Sequence, residues 1–119
     1  MIGIKYEQII ERLKGLGYPV AEYEFKDTKK NPAPNPPFII YFSAEDQTGT
    51  DEKNRIRNIQ ASIELYTDRT PDHELEALIE SKVLFDIDFH KTTAPIQSEN
   101  MYQTAYDFNV VQKFKASIH

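Results

Sequence analysis

Cysteine and tryptophan are absent from this sequence, and only four of its 119 residues are glycine. Without cysteine the chain has no disulfide framework, no thiolate nucleophile and no cysteine-ligated zinc site. The glycines match neither of the glycine-rich nucleotide-binding fingerprints. No apolar run approaches the roughly 20 residues of a membrane helix, and the first residues do not follow the pattern of a signal peptide. We therefore predict a soluble domain.

Basic residues are also scarce, with 14 Lys and Arg against 19 Asp and Glu, and the net charge is −5. The one local basic cluster is formed by Lys26, Lys29 and Lys30. Proteins dedicated to nucleic acid concentrate positive charge to neutralise phosphates. We therefore predict no specific nucleic-acid binding. The length of 119 residues fits one domain, residues 1–119,.

Two segments have the apolar periodicity of amphipathic helices. The first runs from Tyr6 to Leu16 and ends at glycines, which favour helix termination. For the second, Thr70 and Pro71 predict the cap and the first helical position,. Its predicted buried stripe is Leu75, Leu78, Ile79 and Val83, and its predicted exposed residues are Glu74, Glu76, Glu80 and Lys82.

Five segments have the patterns of β-strands. Period-two alternation, which is typical of half-buried strands, is found in residues 21–25, 56–67 and 102–114, and residues 87–93 are a weaker candidate. The continuous apolar run 38–42 predicts a central strand covered on both faces,. Together these patterns predict an α+β fold. Its mainly antiparallel sheet of about four to five strands would pack against two α-helices, in the order α-β-β-β-α-β-β.

Two polar segments are predicted loops. Residues 27–37 contain Pro32, Pro34, Pro36 and Pro37, which exclude helix and interior strand; either a stiff polyproline arm or a plain surface connector fits this composition. Residues 44–54 contain Gly49 and four acids, and we interpret them as a long hairpin loop. They do not follow the ligand spacing of a helix–loop–helix calcium site.

One local pattern could bind a metal ion. On a strand, Asp86, Asp88 and His90 would point to the same side and could hold a divalent cation,. The alternative interpretation places Asp86 in the turn after the second helix and leaves the other two side chains solvated. No serine has the context of an activated nucleophile. We predict no enzymatic activity, no metal and no cofactor.

Most of the chain resembles a family of small head–tail proteins from long-tailed phages and prophages of Gram-positive bacteria. Its members are described as tail terminator, tail completion, head–tail joining or minor capsid proteins. The segments that carry the resemblance are 18–21, 37–41, 63–68, 74–76 and 99–107. The resemblance implies an α+β subunit similar to the lambda tail terminator, with no catalytic residues.

The resemblance further implies a hexameric ring of this chain that caps the tail tube. The partners would be copies of itself, the tail tube protein and a head-completion or neck protein, in a virion assembled in the bacterial cytoplasm. Alternatives are an adaptor elsewhere in the neck or, in another class, a metal-dependent nuclease. Ring contacts would use the two long loops, so the interface candidates are Asn31, Pro32, Pro34, Pro36, Glu45, Asp46, Asp51 and Glu52.

Overall fold

The structure, a computed structural model, describes residues 4–51 and 54–115; for residues 50, 51, 54, 114 and 115 it describes the backbone alone. The elements in chain order are α1 (Tyr6–Lys14), β1 (Val20–Glu22), β2 (Phe38–Asp51), β3 (Asn54–Asp68), α2 (His73–Leu78), a π-helical turn (Ile79–Val83), β4 (His90–Ile96), a 3-10 turn (Gln97–Glu99) and β5 (Met101–Lys115). The α+β class is confirmed. The predicted order lacked the π-helical and 3-10 turns.

All five strands form one sheet in the spatial order β1-β2-β3-β5-β4. The β1–β2 pair is parallel and the three other pairs are antiparallel. Residues 38–42 lie on β2, which is paired on both sides, so the prediction of an interior strand is confirmed; the middle strand of the five is β3. The helices cover one face of these residues, and the chain segment 23–36 covers the other. Both faces are therefore apolar, although β2 lies next to the edge strand β1.

The core lies between one face of the sheet and the helical elements. Alternate residues of β3 and β5 point into it as predicted, because two-residue spacing places them on one face. The chain segment that contains α2 and the π-helical turn runs beside α1. The buried core residues include Ile9, Leu13, Ile39, Ile59, Ile63, Leu65, Leu75, Ile79, Val83, Tyr106, Phe108 and Val110. In the described part of the chain, the opposite face, here called the open face, carries no helix.

The predicted hairpin loop 44–54 was wrong. Strand β2 continues to Asp51 and β3 begins at Asn54, with a register irregularity between Thr48 and Asp51. Residues 44–49 are exposed and lack an apolar face. Backbone pairing between β2, β3 and β5 nevertheless continues the ladder through them.

The predicted strand 21–25 is shorter in the structure, because β1 ends at Glu22. The next residue, Tyr23, has φ +67°, a left-handed conformation that L-residues with bulky side chains rarely adopt. The chain therefore turns away from the sheet and folds over its open face.

The second helix differs from its prediction in two respects. Its cap is Asp72, whose carboxylate accepts a hydrogen bond of 3.0 Å from the Leu75 backbone N–H, and Thr70 and Pro71 precede the helix. The helix also presents Glu76 to the sheet, where it is 4% exposed, while Leu78 is 36% exposed. This orientation is stabilised because Lys91 on β4 offers Glu76 a cationic partner at 2.8 Å.

Candidate assembly surfaces

The proline-rich segment folds back on itself as a closed loop. The Asp27 carboxylate accepts a hydrogen bond from the Ala33 backbone N–H at 3.2 Å, and Thr28 Oγ1 accepts one from the Asn31 N–H at 3.0 Å. Asn31 and Pro32 are exposed on this loop, together with the predicted basic cluster Lys26, Lys29 and Lys30. The segment is therefore a hydrogen-bonded loop beside the sheet. It is not an extended polyproline segment.

Between this proline-rich loop and the open face lies a groove of about 430 Å³, here called the aromatic groove. The Phe38 ring stacks on Tyr66 at 5.1 Å between ring centroids and meets Phe25 edge-on at 5.5 Å. Pro34 and Pro36, both predicted interface residues, line it as well. The remaining lining residues are Tyr23, Glu24, Ala33, Ile40, Glu99 and Met101.

The polar atoms at the bottom of the groove are satisfied internally. The Tyr66 hydroxyl donates to Glu64 at 2.8 Å and accepts from the Gln103 side-chain amide at 2.9 Å. Burial raises the pKa of Tyr66 to about 12, and the hydrogen bond to Glu64 adds to the rise. The Tyr66 ring is thus held by two hydrogen bonds. The carboxylates Glu24 and Glu99 also line the groove, while Lys26, Lys29 and Lys30 are exposed on the proline-rich loop that forms its other side.

At the edge of the groove, Tyr23 combines exposure with backbone strain. Its side chain is 63% exposed, although the ring stacks on Phe42 at 6.4 Å and the hydroxyl donates to the Ser43 carbonyl at 3.3 Å. A left-handed conformation costs a residue with a Cβ roughly 1–2 kcal/mol. Strain of this kind is concentrated at functional sites, so Tyr23 marks the groove as a candidate contact surface.

The strain at Tyr23 gives a testable prediction. Tyr23→Gly removes the steric cause of the strain, whereas Tyr23→Ala keeps it, so the glycine variant is expected to be about 1 kcal/mol more stable than the alanine variant. Urea unfolding of both variants measures the difference. Equal stability, or a more stable alanine variant, would show that the backbone at residue 23 is not strained.

The second candidate surface is the end of the three long strands nearest the start of α1, residues 44–51, 54–58 and 109–115, here called the arm. Glu45, a predicted interface residue, is held by Arg57 through bonds of 2.6 and 3.1 Å, and Arg57 also reaches Glu7 of α1 at 3.5 Å. The hydrogen bonds from Arg57 lower the pKa of Glu45 to about 2. Glu45 thus connects the arm to α1.

The other predicted acids of this segment differ in their surroundings. Asp46 is exposed and lies on the open face, opposite Asn58. Asp51 ends β2, and only its backbone is described, while Glu52 lies outside the described residues. The arm is therefore only in part the acidic surface that the sequence predicts.

Apolar and basic side chains also occupy the open face of the arm. Val111 is 41% exposed, and Ile56 and Lys113 are paired across β3 and β5 on the same face. Ile56 is partly buried and Lys113 is exposed. We call Ile56, Val111 and Lys113 the arm patch; nothing in the sequence pattern pointed to it.

The three residues considered as a possible metal site, Asp86, Asp88 and His90, do not form a cluster. Arg12 donates two hydrogen bonds to the Asp86 carboxylate, at 2.8 and 3.1 Å, and lies over the Phe85 ring at 4.4 Å. Asp86 and Asp88 precede the strand, which begins only at His90. Within residues 4–51 and 54–115 no three His, Asp or Glu side chains form a cluster that could hold a metal ion.

No nucleophilic triad is assembled on the open face either. Ser62, Asp107 and His90 lie side by side on β3, β5 and β4. The carboxylate is in the middle, whereas a nucleophilic triad requires the imidazole between the hydroxyl and the carboxylate.

The Arg12–Asp86 pair gives a prediction about acid stability. Hydrogen bonds from Arg12 lower the pKa of Asp86, with burial opposing them. Because the pKa of Asp86 in the folded state is below its ordinary value of 3.8, the ionised carboxylate stabilises the fold above pH 3.8. This stabilisation is lost as the pH falls through the pKa of the folded state,. Asp86→Asn is expected to cost about 1–2 kcal/mol at pH 7 and progressively less as the pH falls below 3.8. Denaturant unfolding at several pH values measures this, with the exposed neighbour variant Asp88→Asn as control; a pH-independent cost would contradict it.

Comparison with known proteins adds no relative: no protein-family model matches the chain, and no curated protein matches it significantly. The helices found in the described ranges are too short and too polar to span a membrane.

Proposed function

We propose that this chain is a structural subunit of a ring in the tail or neck of a phage, where it caps the tail tube and joins it to the head without catalysing a reaction. The observation that supports this proposal best is that the sheet is much longer than its core requires. Strands β2, β3 and β5 have 14, 15 and 15 residues, and a strand of this length spans roughly 50 Å.

The resulting shape suits a subunit that reaches neighbours. The molecule measures 51 × 32 × 25 Å and its radius of gyration is 16.5 Å, compared with roughly 13–14 Å for a compact domain of this length. Most of the arm's described side chains are exposed, although Val110 belongs to the core and Arg57 contacts α1. The length of the arm is explained if it contacts another copy or the tube protein.

The two edges of the sheet are poorly suited to the addition of another strand, so contacts between copies would use other surfaces. Strand β1 has only 3 residues and β4 has 7, and β4 carries Pro95, a residue confined to edge strands because it cannot donate to the ladder. A ring closes by contacts between different surfaces of successive copies. The groove at one end of the sheet and the arm at the other are such a pair of different surfaces.

The partners in this proposal are copies of the chain, six in the simplest ring, together with the tail tube protein and a head-completion or neck protein. A ring of acidic subunits would repel DNA phosphates and let the genome pass without adhering. An adaptor elsewhere in the neck would use the same contact surfaces and is the alternative position. The nuclease alternative would require Asp86 to bind a metal ion, but the Asp86 carboxylate forms an ion pair with Arg12.

Co-sedimentation with tail tubes of the phage or prophage that carries the gene tests this function. Tubes of two different lengths are mixed with the purified chain, and bound chain is counted per tube. A terminator binds the ends, so the number bound is expected to be small and the same for short and long tubes. Binding in proportion to tube length, or no binding, would contradict the proposal.

A further inference from the structure

We infer that the aromatic groove of one copy receives the arm patch of a second copy, so that subunits join head to tail. This inference deepens the proposed function and rests on it, because it names the contact that would link neighbours in the ring. Both surfaces belong to one chain, and their chemistry is complementary.

The lining of the groove is mostly apolar and includes two exposed carboxylates. Aromatic rings and Met101 line it together with Glu24 and Glu99. A volume of about 430 Å³ is within the range of pockets that bind small ligands and is enough for a few side chains. Such a site favours an apolar segment that carries a cation, since ammonium groups are attracted both by carboxylates and by the faces of aromatic rings.

The arm patch supplies those two features. Val111 and Ile56 are apolar, and Lys113 places an ammonium group beside them on the same face. Val111 is one of the large apolar side chains that are exposed in the described part of the chain, as Tyr23 is at the groove. Joining the two surfaces would cover both exposed side chains in a single contact.

A single chain cannot make this contact with itself. On β3, Ile56 of the arm patch and Tyr66 of the groove are ten residues apart, which corresponds to about 33 Å along the strand. Both residues belong to the same continuous ladder with β5, so the strand cannot fold back. The occupant must come from another copy. Because each copy then has one groove and one arm, the contact is heterologous and leads to a ring if it closes.

Intermolecular paramagnetic relaxation tests this contact. The chain has no cysteine, so Thr48→Cys, at an exposed position of the arm's open face, accepts a single spin label. Spin-labelled copies at natural isotopic abundance are mixed with ¹⁵N-labelled wild-type copies. Broadening is expected at the amides of Tyr23, Phe25 and Met101 in the ¹⁵N copies. Broadening confined to the arm, or absent at millimolar concentration, would overturn the inference.

Variants check that the surfaces act as a pair. Tyr23→Gly removes the exposed ring without the strain of a larger residue and is expected to weaken self-association roughly 30-fold, as loss of an interface hot spot does. Lys113→Glu and Glu99→Lys are each expected to weaken it roughly tenfold, and the double variant to restore it. If the double variant is as weak as the single ones, the pairing is wrong.

The same variants separate this inference from the proposed function. If wild-type chain binds tube ends and Tyr23→Gly binds them equally well as a ring, the function stands and the groove contact is refuted. If the label broadens the groove signals but no tube binding occurs, the contact stands and the tail function is refuted. Sedimentation equilibrium adds one further outcome: a closed dimer that does not grow with concentration would refute the head-to-tail arrangement.

Discussion

Lys91→Met is expected to destabilise the fold by about 2–4 kcal/mol, because it leaves a buried carboxylate without its cation. Lys91 Nζ lies 2.8 Å from Glu76 Oε1 and 2.8 Å from Glu80 Oε2, and the Tyr106 hydroxyl donates to the same Glu80 oxygen at 2.8 Å. These bonds join the second helix to β4 and β5. Methionine keeps most of the side-chain volume, so the loss measures charge and hydrogen bonding.

Denaturant unfolding at pH 7 measures this effect. Lys82→Met is the matched control, because Lys82 is an exposed lysine on the same helical segment and its loss is expected to change the stability by less than about 0.5 kcal/mol. Adding Glu76→Gln to Lys91→Met is expected to recover part of the loss, since no buried charge is then unpaired. If Lys91→Met resembles Lys82→Met, the network does not hold the helix to the sheet.

Shortening the arm is expected to abolish tail binding while the domain stays folded. Asp46 and Asn58 are paired across β2 and β3, so residues 47–57 can be replaced by Asn-Gly, which favours the two-residue turn of a hairpin. The core residues of β3 and β5 lie outside this replacement. Only a small loss of stability is expected, from the Arg57 bonds to Glu45, because exposed ion pairs contribute at most about 1 kcal/mol.

Circular dichroism and thermal unfolding verify the fold of the shortened chain, and co-sedimentation with tail tubes measures its function. Replacement of Gln47 and Thr48 by alanine, which keeps the full arm length, is the control and is expected to bind normally. A shortened chain that still binds tube ends would show that the arm is not a contact surface.

The parts of the fold that the sequence predicted best are those with one buried face. Alternation placed Ile59, Ile63 and Leu65 of β3 in the core, as the structure has them. One part of the arm, residues 44–51, was wrongly predicted as a loop, whereas its residues 56–58 and 109–114 were predicted as strand. With both faces polar, residues 44–51 lack the alternation that identifies a strand, and their pairing depends on partners distant in sequence.

The candidate surfaces were predictable only in part. Pro34 and Pro36 were predicted as interface residues and line the aromatic groove, but the groove also requires Tyr66 and Met101, which are far away in sequence. Its formation depends on the left-handed turn at Tyr23, for which the sequence gives no signal. Likewise, helical periodicity predicts that Glu76 is exposed. It is buried because it pairs with Lys91 on β4, a partner that the helix sequence does not reveal.

The central claim is that this chain acts by binding the end of a tail tube as a ring. Electron microscopy of tail tubes mixed with the purified chain tests it most directly. The account predicts a ring of added density at one end of each tube, absent from tubes alone and from tubes mixed with the arm-shortened chain. Tubes with bare ends at saturating chain, or chain distributed along the tube wall, would contradict it.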